Sequence, residues 1–148
     1  MAETSGTTAG TIDAPPQTVW YWVADGGRLV SWWPRAERAE DVQGGRFTLV
    51  LRSSRGVPVR VDWRVSQSRR EQLQRWEQEL DDTPFAKALR RSAVELRIEP
   101  AEGERSLVTV TVERDLVQRG LTAGMLGRRA ARRYANELLT GLRRAATS

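Results

Sequence analysis

Cysteine and histidine are both absent from this chain, and lysine occurs once, as Lys87. Without them there can be no Ser-His-Asp triad, no thiol nucleophile, no thiolate zinc site and no imidazole metal site. A Schiff-base mechanism would rest on Lys87 alone, in a stretch expected to be solvated. Long apolar runs are missing too: none approaches the ~18 residues of a membrane span. The opening segment Met1–Thr11 is rich in Thr, Ser and Gly, contains Glu3, and lacks the apolar centre of a signal peptide. A soluble, cytoplasmic protein without a transmembrane segment is the expectation. The 19 acidic residues show no clustered spacing such as an EF-hand loop. No metal and no other cofactor is expected.

The formal charge of +5 comes from arginine, since only one of the 24 basic residues is lysine. A basic surface can serve nucleic acid or anionic lipid. Here acids and bases alternate along the chain instead of forming blocks, the pattern of a solvated surface, so no nucleic-acid partner is expected. The oligomeric state is open.

The 148 residues suit a single domain spanning 1–148, with about the first five residues frayed. The most informative stretch runs from Ile12 to Pro34. Ala14-Pro15-Pro16 ends a strand, because proline lacks an amide hydrogen and presets φ for a helix start. Asp13 is placed to accept from the freed amides of the following helix. Val19, Trp20 and Val23 recur at helical spacing, Asp25-Gly26-Gly27 breaks the helix, and Arg28–Trp33 forms a second short helix stopped by Pro34.

Strand, Ala14-Pro15, Val19-Trp20, Ala24-Asp25 and Trp33-Pro34, in that order, resemble the START/Bet v 1-like (SRPBCC) superfamily, specifically its bacterial polyketide cyclase/dehydrase and lipid transport group. The resemblance continues more weakly through Trp76-Glu77, Thr83-Pro84-Phe85 and the C-terminal helix. It implies an α+β helix-grip fold: a curved antiparallel sheet around a long C-terminal helix, with two short helices after the first strand. It also implies a hydrophobic small molecule, polycyclic or lipid-like, as partner.

The residues after Pro34 fit that expectation. Phe47, Leu49 and Leu51 alternate with Thr48, Val50 and Arg52, and Val57–Val65 alternates likewise with Arg60, Asp62 and Arg64. Leu73–Leu80 reads as a weaker strand. Val94, Leu96 and Ile98 form another, and Val108, Val110 and Val112 the last, giving a meander with one wet and one dry face. The segment 81–91 admits two readings, a helix started at Asp81-Asp82-Thr83-Pro84 or an extension of the next strand. Family members open on an alternating apolar strand, whereas Thr4–Thr11 is mostly Thr, Gly, Ser and Ala, so the first strand should be short or at an edge.

Leu121 to about Ala145 is a strong helix. Projected at ~100° per residue, one face carries Gly124, Gly127, Ala131, Tyr134, Ala135, Leu138 and Leu142, and the other carries Arg129, Arg132, Arg133, Arg143 and Arg144. Leucines can fill space above a sheet; the glycines and alanines of the N-terminal half cannot. Two readings stay open: close packing of helix on sheet, or a cavity with Tyr134 at its wall. On the cavity reading, Trp33, Trp63, Trp76, Phe85, Gly124, Met125, Gly127, Ala131 and Tyr134 bind the ligand, an aromatic, apolar lining with few polar groups. Gly127→Leu would then abolish binding without unfolding the chain.

Three functions follow. The first is a binding domain for an apolar ligand. The second, implied by the family, is an aromatase/cyclase that orients a poly-β-ketone chain and stabilises enolate charge with hydrogen-bond donors. Its candidate groups are Tyr134, Gln78 and an inward arginine, Arg128. The third is a lipid-chaperone or protein-interaction module using Arg129, Arg132 and Arg133.

Overall fold

The computed structural model describes residues 3–117 and 121–148, with side chains from 4 to 117 and from 124 onward. Strand β1 is Glu3–Ile12, followed by helix α1 at Pro16–Val23 and a 3-10 turn at Gly26–Ser31. The meander comprises β2 Ala36–Gln43, β3 Arg46–Arg52, β4 Pro58–Arg69, β5 Leu73–Gln78, β6 Leu89–Ala101 and β7 Arg105–Leu116. Helix α2, Leu121–Thr147, closes the chain. The seven strands form one sheet in the order β1-β7-β6-β5-β4-β3-β2, each pair antiparallel. Register shifts at Val65/Gln67 in β4 and Leu89/Arg91 in β6 bend the sheet.

Alternation along the strands defines the two faces. Phe47, Leu49, Val61, Trp63, Trp76, Val94, Leu96, Val108, Val110 and Val112 are buried beneath the helices. The outer face carries ion pairs in cross-strand rows. Arg75 is gripped by both carboxylate oxygens of Glu113 at 2.9 Å, with Glu95 at 3.4 Å. Arg38 and Arg60 share Glu40.

Strand β1 meets the expectation of a short or edge strand through its position in the sheet. It lies at the edge of the sheet, but it is not short: ten residues pair with β7. Nor are residues 3–5 frayed, since Glu3, Ser5 and Thr4 sit opposite Asp115, Glu113 and Arg114; residues 1–2 lie outside the described residues. The scarcity of apolar side chains has a steric cause. A Cβ on Gly6 would fall on the backbone of Arg132 and within 2.6 Å of the Ala131 carbonyl carbon. Helix α2 therefore rests directly on β1, and only small residues fit between them.

Local details differ as well. Pro15 occupies the N-cap of α1 with no side-chain hydrogen bond, so Asp13 is not its cap. Asp25 caps the next turn instead, accepting from the Gly27 amide at 2.7 Å. The segment 81–91 contains both alternatives in miniature: a 3-10 turn at Pro84–Lys87, then β6 from Leu89. Strand β2, with its mostly exposed AERAEDVQ sequence, carries no apolar alternation and is visible only through its pairing with β3.

Trp33 is the hub of the core. Its ring centroid lies 5.7 Å from Trp32, 5.5 Å from Trp63, 5.3 Å from Trp76 and 6.5 Å from Tyr134. The contacts with Trp76 and Tyr134 are edge-on, as the aromatic quadrupole favours, and those with Trp32 and Trp63 are tilted. Around them, Ile12, Val19, Val23, Leu29, Leu138 and Leu142 fill one end of the space between sheet and helix completely.

Candidate ligand-binding site

The other end of that space is not filled. A cavity of about 350 Å³ lies between the inner face of β3–β7 and α2. Its apolar wall is Leu51, Val61, Trp63, Val94, Val112 and Leu116, and Phe85 and Leu89 stand where the 3-10 turn runs into β6. Tyr134 enters from α2, and Gln78, Ser92, Arg35 and Arg114 supply the remaining polar groups. Two larger clefts, of about 560 and 530 Å³, lie outside this space. One is bordered by Arg69, Arg70, Glu71, Arg97 and Glu99, the other by Ser31, Arg35, Glu137 and Arg144. Charged rims of that kind are a poorer match to small-molecule sites than the smaller, more apolar cavity between sheet and helix.

The helix stands off from β3–β6 but seals against β1, so its small-residue face follows the close-packing reading at Gly127 and Ala131 and the open space lies to one side of it. Gly127 packs on Thr4 and Leu116: a Cβ there would meet Thr4 Cγ2 at 3.0 Å, Thr4 Oγ1 at 3.1 Å and Leu116 Cδ1 at 3.3 Å. Ala131 is buried beside Gly6. Neither borders the cavity. Beneath Gly124 the nearest group among the described residues is the Arg128 guanidinium at 3.5 Å, and Met125 is 53% exposed. The expectation that Gly127→Leu empties the site without harming the fold is corrected: the added atoms would strike β1, not a ligand.

Of the aromatic residues singled out in the sequence, Trp63, Phe85 and Tyr134 line the cavity, and so does Gln78. Trp33 and Trp76 are buried behind that wall in the tryptophan cluster. Arg128 is exposed on α2. The inward arginine is Arg114, which sequence reasoning missed although its parity was legible: it continues the row Val108, Val110, Val112 along the dry face of β7. Ser92, opposite Arg114 in the β6–β7 register, was missed for the same reason.

The polar groups are mostly donors. The Trp33 indole N–H donates to the Tyr134 hydroxyl at 2.6 Å. Burial pushes the Tyr134 phenol above its usual pKa, with the Trp33 hydrogen bond and nearby Arg114 opposing. The hydroxyl is therefore a neutral donor at physiological pH. The Arg114 guanidinium lies 5.3 Å from the Tyr134 ring centroid, a cation–π distance. Burial lowers its pKa from the usual arginine value, opposed by Tyr134. Arg35, exposed at the rim, reaches Glu137 at 3.5 Å. The described residues contain no cluster of three carboxylates able to hold a metal ion.

An antiparallel seven-stranded sheet gripping a C-terminal helix, with two short helical segments after β1, is the helix-grip architecture of START/Bet v 1-like proteins. Residues 3–147 match the family described as polyketide cyclase / dehydrase and lipid transport, and the chain belongs to that family. No curated protein matches it in sequence. Among solved structures it is similar to a START superfamily protein from Mycobacterium smegmatis, at 14% identity and TM-score 0.67, covering 95% of this chain and 92% of the other. It is similar to Ara h 8.0201 at 14% identity and TM-score 0.72, covering 97% of each chain. The protein XoxI from Bacillus cereus superposes with TM-score 0.75 at 15% identity, over 96% of this chain and 94% of that one. Family and fold are consistent with hydrophobic-ligand binding. No helix among the described residues is long and apolar enough to cross a membrane.

Proposed function

We propose that this protein binds a hydrophobic small molecule in the cavity between β3–β7 and α2. The carrying observation is a half-open cavity of about 350 Å³ walled by Leu51, Val61, Trp63, Val94, Val112 and Leu116. It lies within the ~300–1,000 Å³ range of small-molecule sites and pairs apolar walls with a few polar groups. Family membership supports the same reading, since its description includes lipid transport.

The test is titration with Nile red, a neutral apolar fluorophore, followed by its emission and by quenching of tryptophan. Saturable binding is expected, because Trp63 forms part of the wall. Leu89→Trp, which adds bulk at the half-buried rim, should weaken binding while the melting temperature stays close to that of the parent. Absence of saturable binding, or binding indifferent to Leu89→Trp, rejects the cavity as the site.

A second reading, cyclisation of a polyketide-type intermediate, draws on the Tyr134 hydroxyl and the Arg114 guanidinium in the same cavity. Two such donors would stabilise developing enolate charge while apolar walls orient the chain. Incubation with a synthetic poly-β-ketone thioester tests it: product ratios must differ from spontaneous closure and revert in Tyr134→Phe.

A further inference from the structure

Among the described residues, eleven arginines lie within salt-bridge distance of a carboxylate, and those that do not are exposed, with one exception. Arg75 holds Glu113 and Glu95, Arg60 and Arg38 share Glu40, Arg64 reaches Glu77, and Arg35 reaches Glu137. Arg114 differs. It is half-buried, lines the cavity, and has no carboxylate within salt-bridge distance among the described residues. No acidic residue lines that cavity with it. A guanidinium cannot shed its charge by deprotonation, so removing it from water calls for a counter-charge or several acceptors. Within the described structure it has only the face of Tyr134, 5.3 Å away.

Tyr134 is incomplete in a matching way. Indole N–H groups only donate, so the 2.6 Å contact with Trp33 uses the phenol oxygen as acceptor. The phenol's own proton is left to donate elsewhere. Ser92, directly across the β6–β7 ladder from Arg114, adds a hydroxyl on the same wall. A planar guanidinium beside one or two hydroxyl donors, at one side of an apolar chamber, is complementary to a carboxylate attached to an apolar body.

We propose that the ligand is an apolar organic acid, its carboxylate bound by Arg114 and Tyr134 and its hydrocarbon body held against Trp63, Val61 and Leu51. This deepens the binding reading and rests on it. The ligand supplies the anion that the protein does not, and an uncharged ligand of the same shape leaves Arg114 buried without compensation.

The experiment is displacement of Nile red by 2-naphthoate and by its neutral analogue 2-naphthylmethanol. In the parent protein the acid should bind about tenfold or more tightly than the alcohol, the scale of one charge-assisted hydrogen-bonded pair. Arg114→Met, which keeps much of the apolar stem, should erase that preference, whereas Arg129→Met on the exposed face of α2 should retain it. In the parent alone, naphthoate affinity should fall as pH drops through the acid's own pKa of ~4, with the alcohol unaffected; this arm needs no variant to fold. Equal affinity for acid and alcohol overturns the proposal while leaving the cavity reading intact. A preference that survives Arg114→Met overturns the assignment to Arg114. Failure of Nile red to bind at all removes both the cavity reading and this proposal.

Discussion

The Trp33 indole and the Tyr134 hydroxyl, 101 residues apart in sequence, are joined by a 2.6 Å hydrogen bond that ties the segment after the 3-10 turn to α2. Trp33 is buried, and Tyr134 is the one acceptor its indole N–H has among the described residues. Tyr134→Phe should cost about 1–3 kcal/mol, the penalty for stranding a buried donor. Trp33→Phe loses packing as well as the bond. The double variant should therefore be less destabilised than the sum of the singles, because the second change no longer strands a partner. Urea denaturation of the four proteins measures the coupling; strict additivity would mean that the bond contributes nothing in solution.

Gly6 is where β1 and α2 touch through their backbones. Gly6→Ala places a methyl on the main chain of Ala131 and Arg132, which cannot swing aside as a side chain would. Destabilisation at or above the ~1–3 kcal/mol typical of overpacking is expected, and thermal denaturation reads it. Gly141 is in the same position against the Trp32 carbonyl oxygen. Parent-like stability in Gly6→Ala would mean that the helix rides higher over the sheet than described.

The architecture was legible in the sequence because it is written in periodicities. Alternating valines define β7, Ala14-Pro15-Pro16 ends β1, and the leucines of α2 mark its buried face. What escaped was decided by neighbours distant in sequence. Small residues in β1 and on α2 indicate close approach or empty space equally well, and only the lateral position of the helix decides. It lies over β1, so Gly127 and Ala131 pack, and the vacant volume moves sideways toward Trp63, Phe85 and Tyr134. Strand β2 escaped because an edge strand with one bulge at each end needs no apolar alternation. Arg114 was readable in principle: its parity placed it inward, but an arginine beside valines is ordinarily taken as the point where a strand leaves the core.

The glycines of α2 can be separated by substitution. Among the described residues, Gly124 has no side chain of the sheet within 4 Å, only Arg128 of its own helix. Gly124→Ala should therefore stabilise the protein by about 0.4–1 kcal/mol, through helix propensity and a less flexible unfolded chain. Gly127→Leu should do the reverse, losing about 1–3 kcal/mol as the side chain meets Thr4 and Leu116. Opposite shifts in melting temperature for the two variants are the expected result, and shifts of the same sign would contradict the packing described at Gly127.

On the outer face, Arg75 and the two carboxylate oxygens of Glu113 form a bidentate pair at 2.9 Å, joining β5 to β7 across β6. Hydrogen bonding to Arg75 holds Glu113 below the usual carboxylate pKa, against the opposing effect of burial, and raises Arg75. A carboxylate whose folded pKa is depressed binds fewer protons in the folded state than in the unfolded chain. Its stabilisation is thus complete above the unfolded value of about 4.5 and disappears as pH falls through the lower folded value. Denaturant titrations between pH 7 and pH 3 should show stability declining on the acid side, and Glu113→Gln should make that decline shallower. At pH 7 the same variant should be less stable than the parent, because Arg75 then loses its bidentate partner while keeping Glu95 at 3.4 Å. An acid limb of unchanged slope in Glu113→Gln would assign the pH dependence to other carboxylates, such as Glu40 between Arg38 and Arg60, whose pKa is lowered by the same kind of pairing.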